Sequence, residues 1–268
     1  MTAAVSHLLA DDEPPAFEVV NGDGRGPCVL VCDHASNHLP RALGDLGLEA
    51  MDLERHIAYD IGAAAVALGL ARQLDAPLVL SGYSRLVIDL NRHPGSPTSV
   101  PLASEDVVIP GNHDLSEAQI AERMQALFWP YHDAVADRLE RYRGEQRVPA
   151  LISVHSFTPA FLGRERPWHV GVLWHHDQRI ALPLIKRLNA EPDLCVGDNE
   201  PYSARNPEGY TVETHSEKPG YPGVLLEIRQ DLITSTEGVE RWEARLGRIL
   251  ADILSDPSIY YVEQLETP

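Results

Sequence analysis

The chain has 268 residues, 44% hydrophobic and 23% charged, with a formal net charge of -18. That balance excludes a disordered chain, and the length suffices to bury a large core without disulfides. The negative total argues against nucleic-acid and anionic-membrane partners, because phosphates would be repelled at long range, while a few arginines inside a cleft still suit an anionic small molecule.

In chain order, residues 1–20 read as a loose N-terminal tail and 21–268 as one α/β domain. Met1 to Pro15 lacks a basic region followed by an apolar core, so it is not read as a signal peptide. No apolar run approaches the roughly 20 residues of a membrane span, and a cytoplasmic protein is expected. Pro27 to Cys32 is a continuous apolar run behind Gly22, Gly24 and Gly26, the pattern of a buried strand after a turn. Cys28 and Cys32 lie in this run and read as small buried hydrophobes. With Cys195 they make an odd, sparse set that suits a reducing compartment.

Leu53 to Leu74 has apolar residues at helical spacing and predicts a helix that ends before Pro77. Short strands are expected at Pro77 to Ser81 and Leu86 to Leu90. His93 to His113, rich in proline, serine and glycine, predicts a long excursion of the kind that walls a cleft. Ser116 to Arg143 predicts an amphipathic helix capped by Ser116, with Pro130 as a kink point. Strands at Ala150 to Val154, Val170 to Trp174 and Gly223 to Ile228 alternate with helices at Arg179 to Ala190 and Glu237 to Leu254. The alternation predicts a mostly parallel sheet with helices on both faces.

Polar residues interrupt the apolar runs where strands end, the place where open α/β sheets bind ligands. The first strand runs into Asp33-His34-Ala-Ser-Asn37, and the expected strand from Leu86 runs into Asp89-Leu-Asn91-Arg92. The strand from Ala150 ends in His155-Ser156, and the strand from Gly223 contains Glu227 and Arg229, followed by Asp231. One histidine after a strand is more often structural than functional; four such places together point to a site.

These segments resemble zinc carboxypeptidases, in order: Val87-Ile-Asp-Leu-Asn91-Arg92, Leu151-Ile-Ser-Val-His155 and Leu225-Leu-Glu227-Ile-Arg229. The wider set, with Cys32-Asp-His34-Ala-Ser-Asn37, Arg55-His-Ile-Ala-Tyr-Asp60, Asp198-Asn-Glu-Pro-Tyr202 and Gly209-Tyr-Thr211, resembles the N-formylglutamate amidohydrolase family over roughly residues 20 to 250. The resemblance implies a mixed, phosphorylase/hydrolase-like α/β fold, one catalytic Zn2+, and hydrolysis of N-formyl-L-glutamate or a similar acyl amino acid.

Carried onto this sequence, the resemblance implies His34, Asp60 and His155 as metal ligands and Glu227 as general base. Two imidazoles, one carboxylate and an open position suit a catalytic zinc. The third ligand is open at this point: the residue three after His34 is Asn37, a poor zinc ligand, and Asp33, Glu54 and His56 compete with Asp60. Arg92, assisted by Asn91, is expected to hold the substrate's α-carboxylate through its planar fork. Arg85 and Arg229 are candidates for a second carboxylate or for the oxyanion, and Tyr210 and His215 for substrate contact. His175 and His176 are adjacent and face opposite ways on a strand, which disfavours a shared ion. Two other readings are a carboxypeptidase or acylase acting on another small amide, and a non-catalytic sensor of an amino-acid derivative.

Overall fold

The computed structural model describes residues 8–204 and 209–263. Seven strands form one mixed sheet: β1 (Phe17–Val20), β2 (Cys28–Cys32), β3 (Leu78–Ser81), β4 (Ala150–Phe157), β5 (Val170–Leu173), β6 (Val196–Asp198) and β7 (Gly223–Arg229). Their spatial order is β1-β3-β2-β4-β7-β5-β6. The central strands β3, β2, β4 and β7 run parallel, β1 is antiparallel to β3 at one edge, and β5 is antiparallel to β7. The central strands are apolar on both faces, as a sheet covered on both sides requires.

Alternate residues of each strand enter two different cores. Leu30, Ile152, Val154, Val172 and Leu226 pack under three helices, α1 (Ala63–Gln73), α4 (Ala181–Leu188) and α5 (Thr236–Leu254). Val29, Val31, Val79 and Leu151 face the other way, under α2 (Glu117–Arg123) and α3 (Trp129–Gly144), which a π turn at Met124–Phe128 joins. Ser116 caps α2 with a reciprocal capping box to Gln119, an arrangement that contributes on the order of 1 kcal/mol. The π turn immediately precedes Pro130, so the missing proline donor falls in the first turn of α3. On this second face a cavity opens beside β4 and β7, lined by His155, Leu225 and Glu227.

Four sequence expectations are corrected. The tail is shorter than residues 1–20: residues 1–7 lie outside the described ones, and Phe17–Val20 is the edge strand β1. The helix expected from Leu53 begins at Ala63, after an isolated turn at Ala50–Leu53. Between them the backbone bonds outside the helix: the Asp60 amide donates to His34 O at 2.9 Å, and Gly62 sits at φ 81°. A Cβ on Gly62 would stand 2.4 Å from Ile233 O, so the helix start is fixed by a contact 171 positions away. Leu86 to Leu90 is no strand. Its carbonyls are satisfied by side chains instead: Asn112 donates to Leu86 O, Arg123 to Val87 O and His132 to Leu90 O. The short edge strand β6 had no predicted counterpart. The long excursion at 93–113 contains only a two-residue hairpin, Ala103–Ser104 with Val107–Val108, and a turn at Pro110–Asn112. Cys28 and Cys32 are fully buried and Cys195 is exposed. No helix among the described residues is long and apolar enough to cross a membrane.

Candidate active site

Three chain segments converge at the carboxyl ends of β2 and β4. His34 follows β2, Asp60 precedes α1, and His155 projects from β4. One ligand atom from each lies within 4.8 Å of the others, and all three side chains are buried. Asp60 Oδ2 is 2.8 Å from His155 Nδ1 and 3.4 Å from His34 Nδ1, and it also accepts from the Ser156 amide at 3.2 Å.

The far nitrogens of the two rings are each fixed by another carboxylate. His34 Nε2 lies 2.7 Å from Asp89 Oδ1, and His155 Nε2 lies 3.0 Å from Asp33 Oδ2. Asp33 is steadied in turn by the hydroxyls of Tyr131 and Thr211, which donate to its Oδ1. An acceptor-only carboxylate behind each imidazole places a proton on Nε2 and turns Nδ1 toward Asp60, the orientation that carboxylate-backed histidine ligands adopt around a divalent cation. The donor set of two imidazole nitrogens and one carboxylate oxygen fits zinc with an open position. Burial opposes the charged ring of His155, yet hydrogen bonds to Asp33 and Asp60 raise it well above the usual histidine range. Burial likewise opposes the charge of Asp60, but His34 and His155 outweigh it and hold the carboxyl low. The site is built for positive charge.

Glu227 stands beside His155 in the β4–β7 register and opposite Gly171 on β5. Burial pushes its carboxyl up to about 7; Asp60 adds to the rise, and the positive charges of His155, His34 and Arg85 restrain it. Its Oε2 is buried with no hydrogen-bond partner among the described residues. Gly171 is needed here, since a Cβ would stand 2.0 Å from Glu200 O and 3.4 Å from Glu227 Cβ. A buried carboxyl held near neutrality and facing a cavity is suited to exchanging a proton.

The cavity has a volume of about 550 Å3 and is lined by His34, Asp60, His155 and Glu227 together with Arg85, Asn91 and Arg92. Arg85 is already committed: it pairs with Asp89 and lies 3.7 Å from Asp60. The Asn91 side chain accepts from the Thr211 amide, and Arg92 donates to Asn91 O. Three expected contacts are corrected. Arg229 is not on the cavity wall: it pairs with Asp231 and donates to the carbonyls of Arg166, Pro167 and Trp168. Tyr210 and His215 are not on it either, because both pack into a ring cluster with Phe128 and His132. Among the alternatives for third ligand, Asn37 turns to Leu53 O and Glu54, Asp33 stands behind His155, and His56 lies 3.4 Å from Glu105 in a poorly aligned contact. His175 faces Glu217 at 3.7 Å, and the described residues form no second metal-type group there. A smaller cavity of about 390 Å3, between Arg25, Arg141 and Arg147, contains none of these groups.

Sequence reasoning did not assign the roles of Asp89, Tyr131 and Thr211 behind the histidines, or those of Arg166 and Tyr202 beside the cavity. Asp89 and Tyr202 stood inside segments already noticed. Nothing in the local pattern marks Tyr131 or Arg166, whose places depend on packing.

A family model described as N-formylglutamate amidohydrolase matches residues 26–234. The gene product Atu2144 of Agrobacterium tumefaciens is a similar solved structure, 36% identical, with a TM-score of 0.89 over 92% of this chain and 98% of that one. The N-formylglutamate amidohydrolase of Ralstonia eutropha JMP134 shares the fold, with a TM-score of 0.65 and 19% identity over 90% of this chain and 97% of that one. No curated protein sequence matches the chain.

Proposed function

Because the chain belongs to the N-formylglutamate amidohydrolase family, we propose that it hydrolyses a small acidic N-acyl amino acid, N-formyl-L-glutamate first among them, with the help of one bound Zn2+. The observation that carries the reading is the convergence of His34, Asp60 and His155 beside a buried carboxyl, Glu227. Zinc held by those three side chains would supply a Lewis acid that polarises the amide carbonyl and acidifies water.

Glu227 accepts a proton from the attacking water as the new C–O bond forms. It then delivers that proton to the amine nitrogen as the C–N bond breaks, leaving formate and the free amino acid. Asp33 and Asp89 keep the two imidazoles in one tautomer and orientation throughout. Arg92 and Asn91 on the cavity wall pair with the α-carboxylate. Arg85 offsets the negative charge of Asp60 and Asp89 and lies where a developing oxyanion gains from a fixed cation.

The test is formate release from N-formyl-L-glutamate by the purified protein, before and after chelation and with zinc restored. Release that disappears on chelation and returns with zinc is the expected result. Stoichiometric zinc without release from any N-acyl amino acid would overturn the hydrolase reading and favour a sensor.

A further inference from the structure

Two arginines among the described residues are buried, Arg123 and Arg166, and the side chain of Arg179 is also nearly shielded; Arg123 and Arg179 are fully occupied. Arg123 donates to Val87 O, Asn112 Oδ1 and Gly111 O. Arg179 grips the Asp177 carboxylate and adds backbone carbonyls. Arg166 is 9% exposed and differs from both. Among the described residues its one side-chain hydrogen bond runs from Nη1 to the Tyr202 hydroxyl at 3.1 Å, and no carboxylate there pairs with it. Its guanidinium lies over the rings of Phe161 at 4.6 Å, Tyr202 at 4.9 Å and Phe157 at 5.9 Å.

Ring faces offset part of the cost of burying a cation, but they leave its in-plane donors unused. A buried guanidinium without a counter-charge is costly to the fold unless an anion arrives to complete it. All three of the rings that stack on Arg166 line the cavity, so one layer of aromatic side chains connects its guanidinium to that space. The loop is also pinned in place. The Arg166 amide donates to Pro159 O, and its carbonyl accepts from Arg229. Arg229, first expected to touch substrate, thus holds the loop that carries Arg166.

We infer that Arg166 and the Tyr202 hydroxyl form the subsite for the side-chain carboxylate of an acidic acyl amino acid; the inference takes the substrate's amide from the hydrolase reading above. Tyr202 accepts from Arg166 and retains its own proton to donate, so the two present donors to one carboxylate. Arg85 does not serve this purpose, because Asp60 and Asp89 already occupy it. Tyr202, Asp60 and Glu227 line one and the same cavity. The subsite is therefore continuous with the reacting centre.

The experiment compares N-formyl-L-glutamate with its near-isostere N-formyl-L-glutamine, in wild type and Arg166→Gln. In parallel, calorimetry measures binding of the products L-glutamate and L-glutamine to the zinc-loaded protein. Wild type should favour the acid in both assays, and Arg166→Gln should lose roughly 10- to 100-fold of that preference, the scale of one charge-assisted pair. Arg166→Lys, which keeps the charge, should recover part of it. Equal losses on both substrates would make Arg166 a positioning residue for Tyr202 and overturn the subsite. Wild type that binds glutamate no better than glutamine would overturn it without any variant. Arg166-dependent glutamate binding with no formate release would overturn the hydrolase reading and leave the subsite standing.

Discussion

His132 and His215 are hydrogen-bonded ring to ring, Nδ1 to Nε2 at 3.0 Å, with their planes 16° apart. Leu90 O can only accept, so His132 Nε2 carries a proton toward it at 2.8 Å and leaves Nδ1 to accept from His215. The contact requires a neutral His132, while His215 can donate from Nε2 whether neutral or charged. Burial lowers His132 and, aided by the neighbouring His132, pulls His215 down to about 4. A histidine depressed in the folded state contributes stability above its unfolded value near 6.5, and that contribution is lost as pH falls through 4. The expected loss attributable to His215 is up to about 3 kcal/mol. Melting temperatures of wild type and His215→Phe across pH 7 to 4 check it; the variant should be the less acid-sensitive of the two, and parallel curves would refute the neutral pair.

A second outcome concerns the metal. Zinc in large excess over its dissociation constant should raise the melting temperature of wild type, by about 4 kcal/mol of stabilisation at a thousandfold excess. His155→Ala and Asp60→Asn should each lose both the shift and the bound zinc, read by elemental analysis. A variant that retained stoichiometric zinc would remove that residue from the ligand set.

Glu227 gives opposite signs for activity and stability. Its folded value of about 7 lies above the ordinary carboxyl value, so its contribution to stability is complete below about pH 4.5 and is lost as pH rises through 7. In cation-stripped protein, Glu227→Gln should therefore be the more stable form above pH 7, by up to about 3 kcal/mol. With zinc restored the same variant should keep its metal but lose about 100-fold or more in turnover. Denaturant melts at pH 5 and pH 8 and a rate assay check both. Undiminished turnover would place the base elsewhere.

Gly171 is the fourth test. A methyl there meets Glu200 O at 2.0 Å, and either β5 or the turn leading to Tyr202 must shift. Gly171→Ala should destabilise the protein by about 1 to 3 kcal/mol and reduce turnover by displacing Glu227 or Tyr202. Wild-type stability and rate would show that this turn yields without consequence.

The parts of the site legible in the sequence are those that interrupt strands. His155 and Glu227 break β4 and β7, where two-sided apolar runs leave any polar residue conspicuous. Asp60 was harder, because alanines around it continue a helical pattern. The actual helix start depends on Gly62 against Ile233, a contact that no local window contains. Leu86 to Leu90 shows the converse: an apolar run reads as a strand, yet Asn112, Arg123 and His132 satisfy its carbonyls from outside any sheet. Arg229 lies two residues from Glu227, and residues two apart on a strand share a face. That rule is sound, but its long side chain turned away to Asp231 and the 166–168 carbonyls. Tyr210 and His215 show the same limit, since nearness in sequence to the site does not reveal the ring cluster that holds them.

The carboxylates on both sides of His155 have a consequence for how the proposed zinc would load. With Asp33 on Nε2 and Asp60 on Nδ1, the two carboxylates favour the doubly protonated ring in cation-stripped protein against the cost of its burial. A hydron on Nδ1 would then sit where the proposed zinc binds, and loading would become an exchange of one for the other. Each zinc bound should release that hydron into solution, and apparent affinity should rise about tenfold per pH unit while the exchange is one for one. The same two acids that orient the ligand would thus make the protein's grip on zinc a function of cellular acidity.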